Sequence, residues 1–307
     1  MKVDEVYEKW AEDKKKYVRL STFSAYYLLC KKHILPYWGN MEASSVCESK
    51  VQDFVDFKLT TKIKKKYIQD ILICLKMILR YGIRKEYFNI NTNFKVVFPT
   101  WANIPNKLDI MNKRDLDKLI QYLKENYSPE NLAILIAIQT GMRIGEICGL
   151  RWNDVDIVNG VFMVEKSARR QYFYDDKIGK MRTEIMISET KTVSSSREIP
   201  ISKTLLFFIK PLIKLSNGNF FIASNKLTPK DQRVLSVHYK RILDKLAIPF
   251  VKFHGLRHTF ATSCLHSGVD IKTTSSILGH SKVGITMDIY MHPDNEQKKN
   301  AINKVFR

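Results

Sequence analysis

Residues 130–155 read ENLAILIAIQTGMRIGEICGLRWNDV. The first eleven are apolar nearly all round, so the helix they form is predicted to be buried on every side. Ser128 and Pro129 stand ahead of it as a helix-start signal, and Gly141 ends it. Arg143 then falls at the start of the next helix. A guanidinium at a helix N-terminus favours an anion such as phosphate. Taken alone, a solvated arginine beside a turn explains it better, because charged side chains usually face water.

Working outward, Asn112 opens a helix over NKRDLDKLIQYLKEN, with Asp115 three residues on in a capping-box position. Downstream, the stretches GVFMVEK, TEIMISETK and SREIPIS between 160 and 202 alternate and are rich in Val, Ile and Thr. They are predicted strands of one small antiparallel sheet. Helical spacing returns from Thr204 to the end. Residues 1–100 are predicted helical. Ser21 or Thr22 is placed to cap FSAYYLLCKKHI, which should stop before Pro36; SKVQDFVDFKL and KKKYIQDILICLKMILRYGIRK follow. Between the halves, NFKVVFPTWANIPNKLDI has two prolines and no helical period. The expected division is a helical domain over 1–100, a linker over 101–109, and a mixed α/β domain over 110–307 ending in a tail helix. The expected fold class is mainly α with a small antiparallel β-sheet.

Charge narrows the partner. The 307 residues hold 51 Lys and Arg against 31 Asp and Glu, a formal +20. Residues 1–105 carry 19 basic and 11 acidic side chains, so +8 lies there and +12 in the remainder. A surplus of this size attracts polyanions, with nucleic acid as the commonest. A small bundle with solvated lysines explains the first half about as well. No run approaches the roughly 20 apolar residues of a spanning helix. The opening MKVDEVYEKWAEDKKKY lacks the apolar core of a signal peptide. Cys30, Cys47, Cys74, Cys148 and Cys264 are scattered without a CxxC pair and read as reduced thiols. A cytoplasmic protein with no membrane partner is expected.

Four segments carry chemistry. The first is TGMRIGE with Arg143. The second, FHGLRHTFATSCLHSGV at 253–269, sets His254, Arg257 and His258 at i, i+3 and i+4 on one helix face. The glutamate of HExxH is missing and the central arginine opposes a metal, so this face suits phosphate better. His258 reads equally as a core histidine. The third, SSILGHSKVGITMDIYMHP at 275–293, places His280 just past Gly279 and Tyr290 ten residues on. The fourth, SETKTVSSSREIP at 188–200, puts Lys191 in a turn between strands, where a solvated lysine is common.

In this order the segments resemble the boxes of the tyrosine recombinase (phage integrase) family. TGMRIGE resembles its first arginine box, TKTVSSSREIP its lysine hairpin, HGLRHTFAT its HxxR box, and LGHS with DIY its histidine and nucleophile boxes. Residues 1–100 also resemble the family's helical core-binding domain, and no arm-binding domain is read ahead of it. VGITMDIY before the nucleophile has a glycine and one threonine where a polar pair is common, and ARRQYFYDDKIGKMRTE is a somewhat long insert.

The resemblance implies Arg143, Lys191, His254, Arg257, His280 and Tyr290 as the catalytic set of a site-specific recombinase. Tyr290 is then the nucleophile that leaves a 3′-phosphotyrosyl enzyme, with no metal and no cofactor. Arg143 and Arg257 hold the non-bridging oxygens, and Lys191 protonates the leaving 5′ oxygen. His254 and His280 bond the phosphate, His254 being the better acceptor of the tyrosine proton. The implied partners are double-stranded DNA and further copies of the chain, four on two DNA sites, with a monomer or dimer when free. An accessory directionality factor stays open, as does docking of the tail DNEQKKNAINKVFR in cis or in trans. Two rivals are kept: a type IB topoisomerase-like or hairpin-forming resolvase, and a non-enzymatic DNA-binding regulator.

Overall fold

Proline placement shapes the first helices of the chain. In a computed structural model, α1 (Val3–Tyr17) and α2 (Leu20–Leu29) are followed by a wide turn, Cys30–Ile34, and a short α3 (Leu35–Trp38). The helical path therefore does not stop before Pro36. The Leu35 amide reaches back five residues to Cys30 O, which opens the turn where Pro36 has no N–H to donate. Nor do Ser21 and Thr22 cap α2: Arg19 is the residue ahead of it, and no side chain bonds its first turn. The structure describes residues 1–102, 109–175, 180–189 and 196–279, with Gly284, Lys299, Ile302 and Asn303.

The chain divides into two compact units, Met1–Asn106 with Gln171–Thr183, and Lys107–Arg170 with Glu184–Arg307. In the first, α4 (Glu48–Thr60) and α5 (Lys65–Arg84) join α1 to α3. The apolar stripe of α5, Ile68, Ile71, Leu75, Ile78 and Leu79, is fully buried against Val3, Trp10, Ile34, Phe54 and their neighbours. Spacing alone dictates this: residues three and four apart share one helix face.

The second unit is built around α7 (Pro129–Thr140), whose residues from Leu132 to Ile138 are all buried. It packs against α6 (Lys113–Glu125) and α11 (Phe253–His266). Ser128 accepts from Asn131 N with Pro129 in the first turn, and Asn112 accepts from Asp115 N, as the sequence predicts. Then come α8 (Ile144–Gly149), β1 (Val155–Asp156), β2 (Val161–Val164), β3 (Lys166–Asp175), β4 (Lys180–Glu189) and β5 (Arg197–Pro200). After them stand α9 (Lys203–Leu215), α10 (Gln232–Lys245) and α12 (Ile271–Leu278).

The strands make two sheets where the sequence predicts one. An antiparallel sheet in the order β1-β2-β5 pairs Val155 with Phe162 and Phe162 with Ile199. The long insert instead forms β3 and β4, which among the described residues pair with each other alone, and its outer residues 171–183 group with the first unit. There Gln171 Nε2 donates to Ser24 Oγ at 2.8 Å, and Ser24 Oγ donates to Tyr172 O at 2.7 Å. Among the described residues no helix is long and apolar enough to cross a membrane.

Candidate active site

Glycine lets three helices of the second unit meet. Gly141 ends α7 at φ 65°, a left-handed conformation that L side chains rarely adopt. A Cβ there would also lie 2.6 Å from the Phe260 ring and 2.7 Å from Leu278. The end of α7 thus meets both α11 and α12, and the next residues start α8 with Arg143.

Helix α12 ends at Gly279, φ 66°. Its last carbonyls have no partner within the helix, and a helix C-terminus is a partial negative charge. Three arginines from three other elements take three successive ones. Arg197 of β5 donates from Nε to Ile277 O at 2.6 Å. Arg257 of α11 donates from Nη2 to Leu278 O at 2.7 Å and from Nη1 to Gly141 O at 2.9 Å. Arg143 donates from Nη2 to Gly279 O at 3.2 Å. The next residue in sequence is His280.

Glu146 holds this cluster from behind. It is 3% exposed and pairs with Arg143 Nη1 at 2.8 Å and Arg197 Nη2 at 2.9 Å, while its Oε2 accepts the Arg143 amide at 3.0 Å. Burial pushes this carboxyl up, but the bonds and charge of Arg197 and then Arg143 outweigh it and hold the pKa below the ordinary value. One carboxylate between two guanidiniums leaves the group net cationic. Arg143 keeps about a third of its side chain exposed, while Arg257 is buried.

His254 and His258 stack edge to face on α11, ring centroids 4.8 Å apart. His254 is exposed at the surface, yet partial desolvation first, then His258, Arg257 and Arg143, push its pKa down to about 4. A neutral imidazole beside two guanidiniums is a proton acceptor, and an arriving anion would strengthen it. His258 also has its pKa lowered, by burial and then Arg257, with Asp109 opposing.

Of the residues expected from sequence, the structure brings together Arg143, Arg257 and His254. Lys191, His280, Tyr290, and the tail reading apart from Lys299, Ile302 and Asn303, lie outside the described residues. Sequence reasoning did not single out Glu146 or Arg197, although TGMRIGE and SREIP contain them. The available signal was a charge inside each otherwise apolar or strand-like motif, opposite in sign and so able to pair on burial. Among the described residues no three of His, Cys, Asp and Glu group to hold a metal ion.

The profile of the phage integrase family matches residues 109–297, and that of the phage integrase N-terminal SAM-like domain matches residues 2–59. The chain belongs to the phage integrase family. Within it, the chain is 28% identical to a tyrosine recombinase XerC-like protein of Caldanaerobacter subterraneus subsp. tengcongensis, over 93% of this chain and 78% of that protein. It is 23% identical to the ICEBs1 integrase of Bacillus subtilis, over 89% and 74% of the two chains. In fold it matches the Tn1549 transposon integrase, solved with transposon right end DNA, at a TM-score of 0.78, 20% identity and full coverage of both chains. A lambda integrase, solved as a tetramer on a Holliday junction, matches at 0.67 and 16% identity, over 94% of this chain and 77% of that one. The expected mainly α fold and the resemblance read from the four boxes therefore hold. This is a tyrosine recombinase.

Proposed function

We propose that this integrase cleaves and rejoins DNA at specific sites through a 3′-phosphotyrosyl intermediate, integrating, excising or inverting a mobile element. The observation that carries the reading is the pair Arg143 and Arg257, held on neighbouring carbonyls at the end of α12. Two fixed guanidiniums at one point suit a phosphodiester whose charge grows as it becomes pentacoordinate, and each such donor typically gives ~10²–10³ in rate.

Tyr290 attacks the phosphorus in line, its phenol proton passing to His254. A phenol of pKa ~10 needs that help near neutral pH. The P–O bond to the 5′ oxygen breaks, and Lys191 supplies the proton that makes this oxygen a leaving group. His280 bonds the same phosphate. The bond energy stays in the tyrosyl ester, so a 5′-hydroxyl can reverse the step without ATP. Glu146 and Arg197 position Arg143 and the end of α12. In functional terms residues 1–100 are the core-binding domain, 101–109 the linker and 110–307 the catalytic domain. Family membership supports four copies on two duplexes, a monomer or dimer when free, and a cytoplasmic location.

The test is a nicked suicide duplex carrying the recombination site, with adducts resolved in SDS. Wild type should yield a covalent protein–DNA band, in EDTA as well, and Tyr290→Phe should yield none. An adduct that persists in Tyr290→Phe defeats the mechanism. A single-site substrate that is relaxed without any tetramer would favour the topoisomerase-like rival.

A further inference from the structure

Among the described residues, the groups that act on His254 all resist a positive charge there. Partial burial comes first, then His258, Arg257 and Arg143. An imidazole that takes a proton in such a place becomes a cation beside cations, which is costly unless a negative group answers it. The carboxylate placed to do so lies outside the HGLRHTFAT segment.

Asp109 reaches the start of α11 from far upstream. Its Oδ2 accepts the Lys252 amide at 2.7 Å, at the N-cap of that helix. A Cβ built on Gly255 would lie 2.4 Å from Asp109 O, so the chain crosses α11 against its backbone. Two residues on, Met111 N donates to the buried Thr259 Oγ1 at 2.9 Å, and Thr259 Oγ1 donates to Gly255 O at 2.8 Å. Residues 109–111 are thereby tied along the first two turns of α11, from Lys252 to Thr259.

His258 belongs to that stretch, beside Thr259 and one turn on from Gly255. Burial and then Arg257 lower its pKa, and the Asp109 charge opposes them. The His258 ring in turn meets the His254 ring edge to face, with centroids 4.8 Å apart and planes at 88°. A carboxylate, a neutral imidazole and the proton acceptor therefore follow one another along one helix. A carboxylate behind an imidazole fixes its orientation and favours positive charge beyond it.

We propose that Asp109 and His258 are positioning residues for the cleavage step: the carboxylate fixes the His258 ring, and that ring holds His254 and steadies the charge it gains from the Tyr290 proton. This deepens the functional reading above and rests on it. The Tyr290 Oη–H bond breaks, a ring nitrogen of His254 takes the proton, and the Oη–P bond forms. Neither Asp109 nor His258 changes its protonation.

The experiment is single-turnover adduct formation by the full chain on the nicked suicide duplex at neutral pH. Asp109→Asn keeps an oxygen for the Lys252 amide and loses only the charge. It should form adduct roughly tenfold more slowly, with duplex affinity unchanged. His258→Phe keeps a ring edge against His254 without the nitrogens and should slow to the same order. Because Asp109 acts through His258, the double variant should be no slower than His258→Phe alone, whereas two independent structural roles would multiply. With difluorotyrosine in place of Tyr290, the more acidic phenol needs less help from a base, and both variants should recover most of the lost rate. A wild-type rate in folded Asp109→Asn, a multiplied loss in the double variant, or no recovery with difluorotyrosine overturns the inference while the recombinase reading stands. A wild-type chain that forms no adduct overturns that reading instead. Should Asp109→Asn not fold, a wild-type rate in folded His258→Phe overturns the inference in its place.

Discussion

Arg143 and Arg257 donate to adjacent carbonyls, Gly279 O at 3.2 Å and Leu278 O at 2.7 Å, although 114 residues of sequence separate them. They do so from different depths. Arg257 is 3% exposed and ties α11 to the ends of both α7 and α12, whereas the Arg143 side chain is 38% exposed. The two should therefore fail differently. Arg257→Ala strands two buried carbonyls and should lose roughly 2–4 kcal/mol of stability as well as adduct formation. Arg143→Ala should slow adduct formation by ~10²–10³ and, because Arg197 still pairs with Glu146, lose less stability than Arg257→Ala. Equal loss of Tm in both variants would contradict this assignment.

Glu146 gives a pH test. Its carboxyl is held below the ordinary glutamate value of 4.5 because Arg197 and Arg143 outweigh its burial. A group whose pKa is lower folded than unfolded contributes stability that is present above the unfolded value and lost as pH falls through the folded one. Wild type should lose stability progressively below about pH 4.5, and Glu146→Gln should flatten that part of the curve. Arg197→Ala leaves the buried carboxylate short of a partner and should cost roughly 3–5 kcal/mol. Urea melts at pH 7 and pH 4 check both.

His254 gives a second pH window. With a pKa pushed down to about 4, it is neutral in the free enzyme at every physiological pH. The unfolded imidazole, near 6.5, takes its proton first, so this residue makes stability fall as pH drops from about 6.5 towards 4. His254→Gln should remove that contribution. For activity, the acid limb that His254 gives kcat/KM belongs near pH 4, since that quantity reports the free enzyme. A limb at pH 6.5 that vanishes in His254→Gln would mean the imidazole is not desolvated as described.

The sequence made some of this legible and hid the rest for physical reasons. Caps are local, so Ser128, Asn112 and the stop at Gly141 could be read directly and are found where expected. TGMRIGE and HGLRHTFAT are each contiguous, so Arg143, His254 and Arg257 could be picked out from local sequence alone. Arg197 and Glu146 are 51 residues apart and pair only because β5 and α8 converge, a fact no local pattern carries. The path through Pro36 was missed for the opposite reason: a wide turn absorbs the lost N–H, so the breaker rule over-predicts a stop. The β3–β4 ribbon alternates like any strand pair, and alternation does not say which sheet a strand joins.

Lys191 supplies the last prediction, and it separates chemistry from binding. If its ammonium protonates the 5′ oxygen as the P–O bond breaks, Lys191→Ala should slow adduct formation by ~10²–10⁴ with DNA affinity little changed. Replacing that bridging oxygen by sulfur alters the requirement, because a thiolate (thiol pKa ~8.5) leaves without a proton. Lys191→Ala should then approach wild-type rates on the phosphorothiolate duplex, while Arg143→Ala, which lacks charge stabilisation rather than an acid, should remain slow. Equal slowness of both variants on the sulfur substrate would remove Lys191 from the role of general acid and leave it as a groove contact.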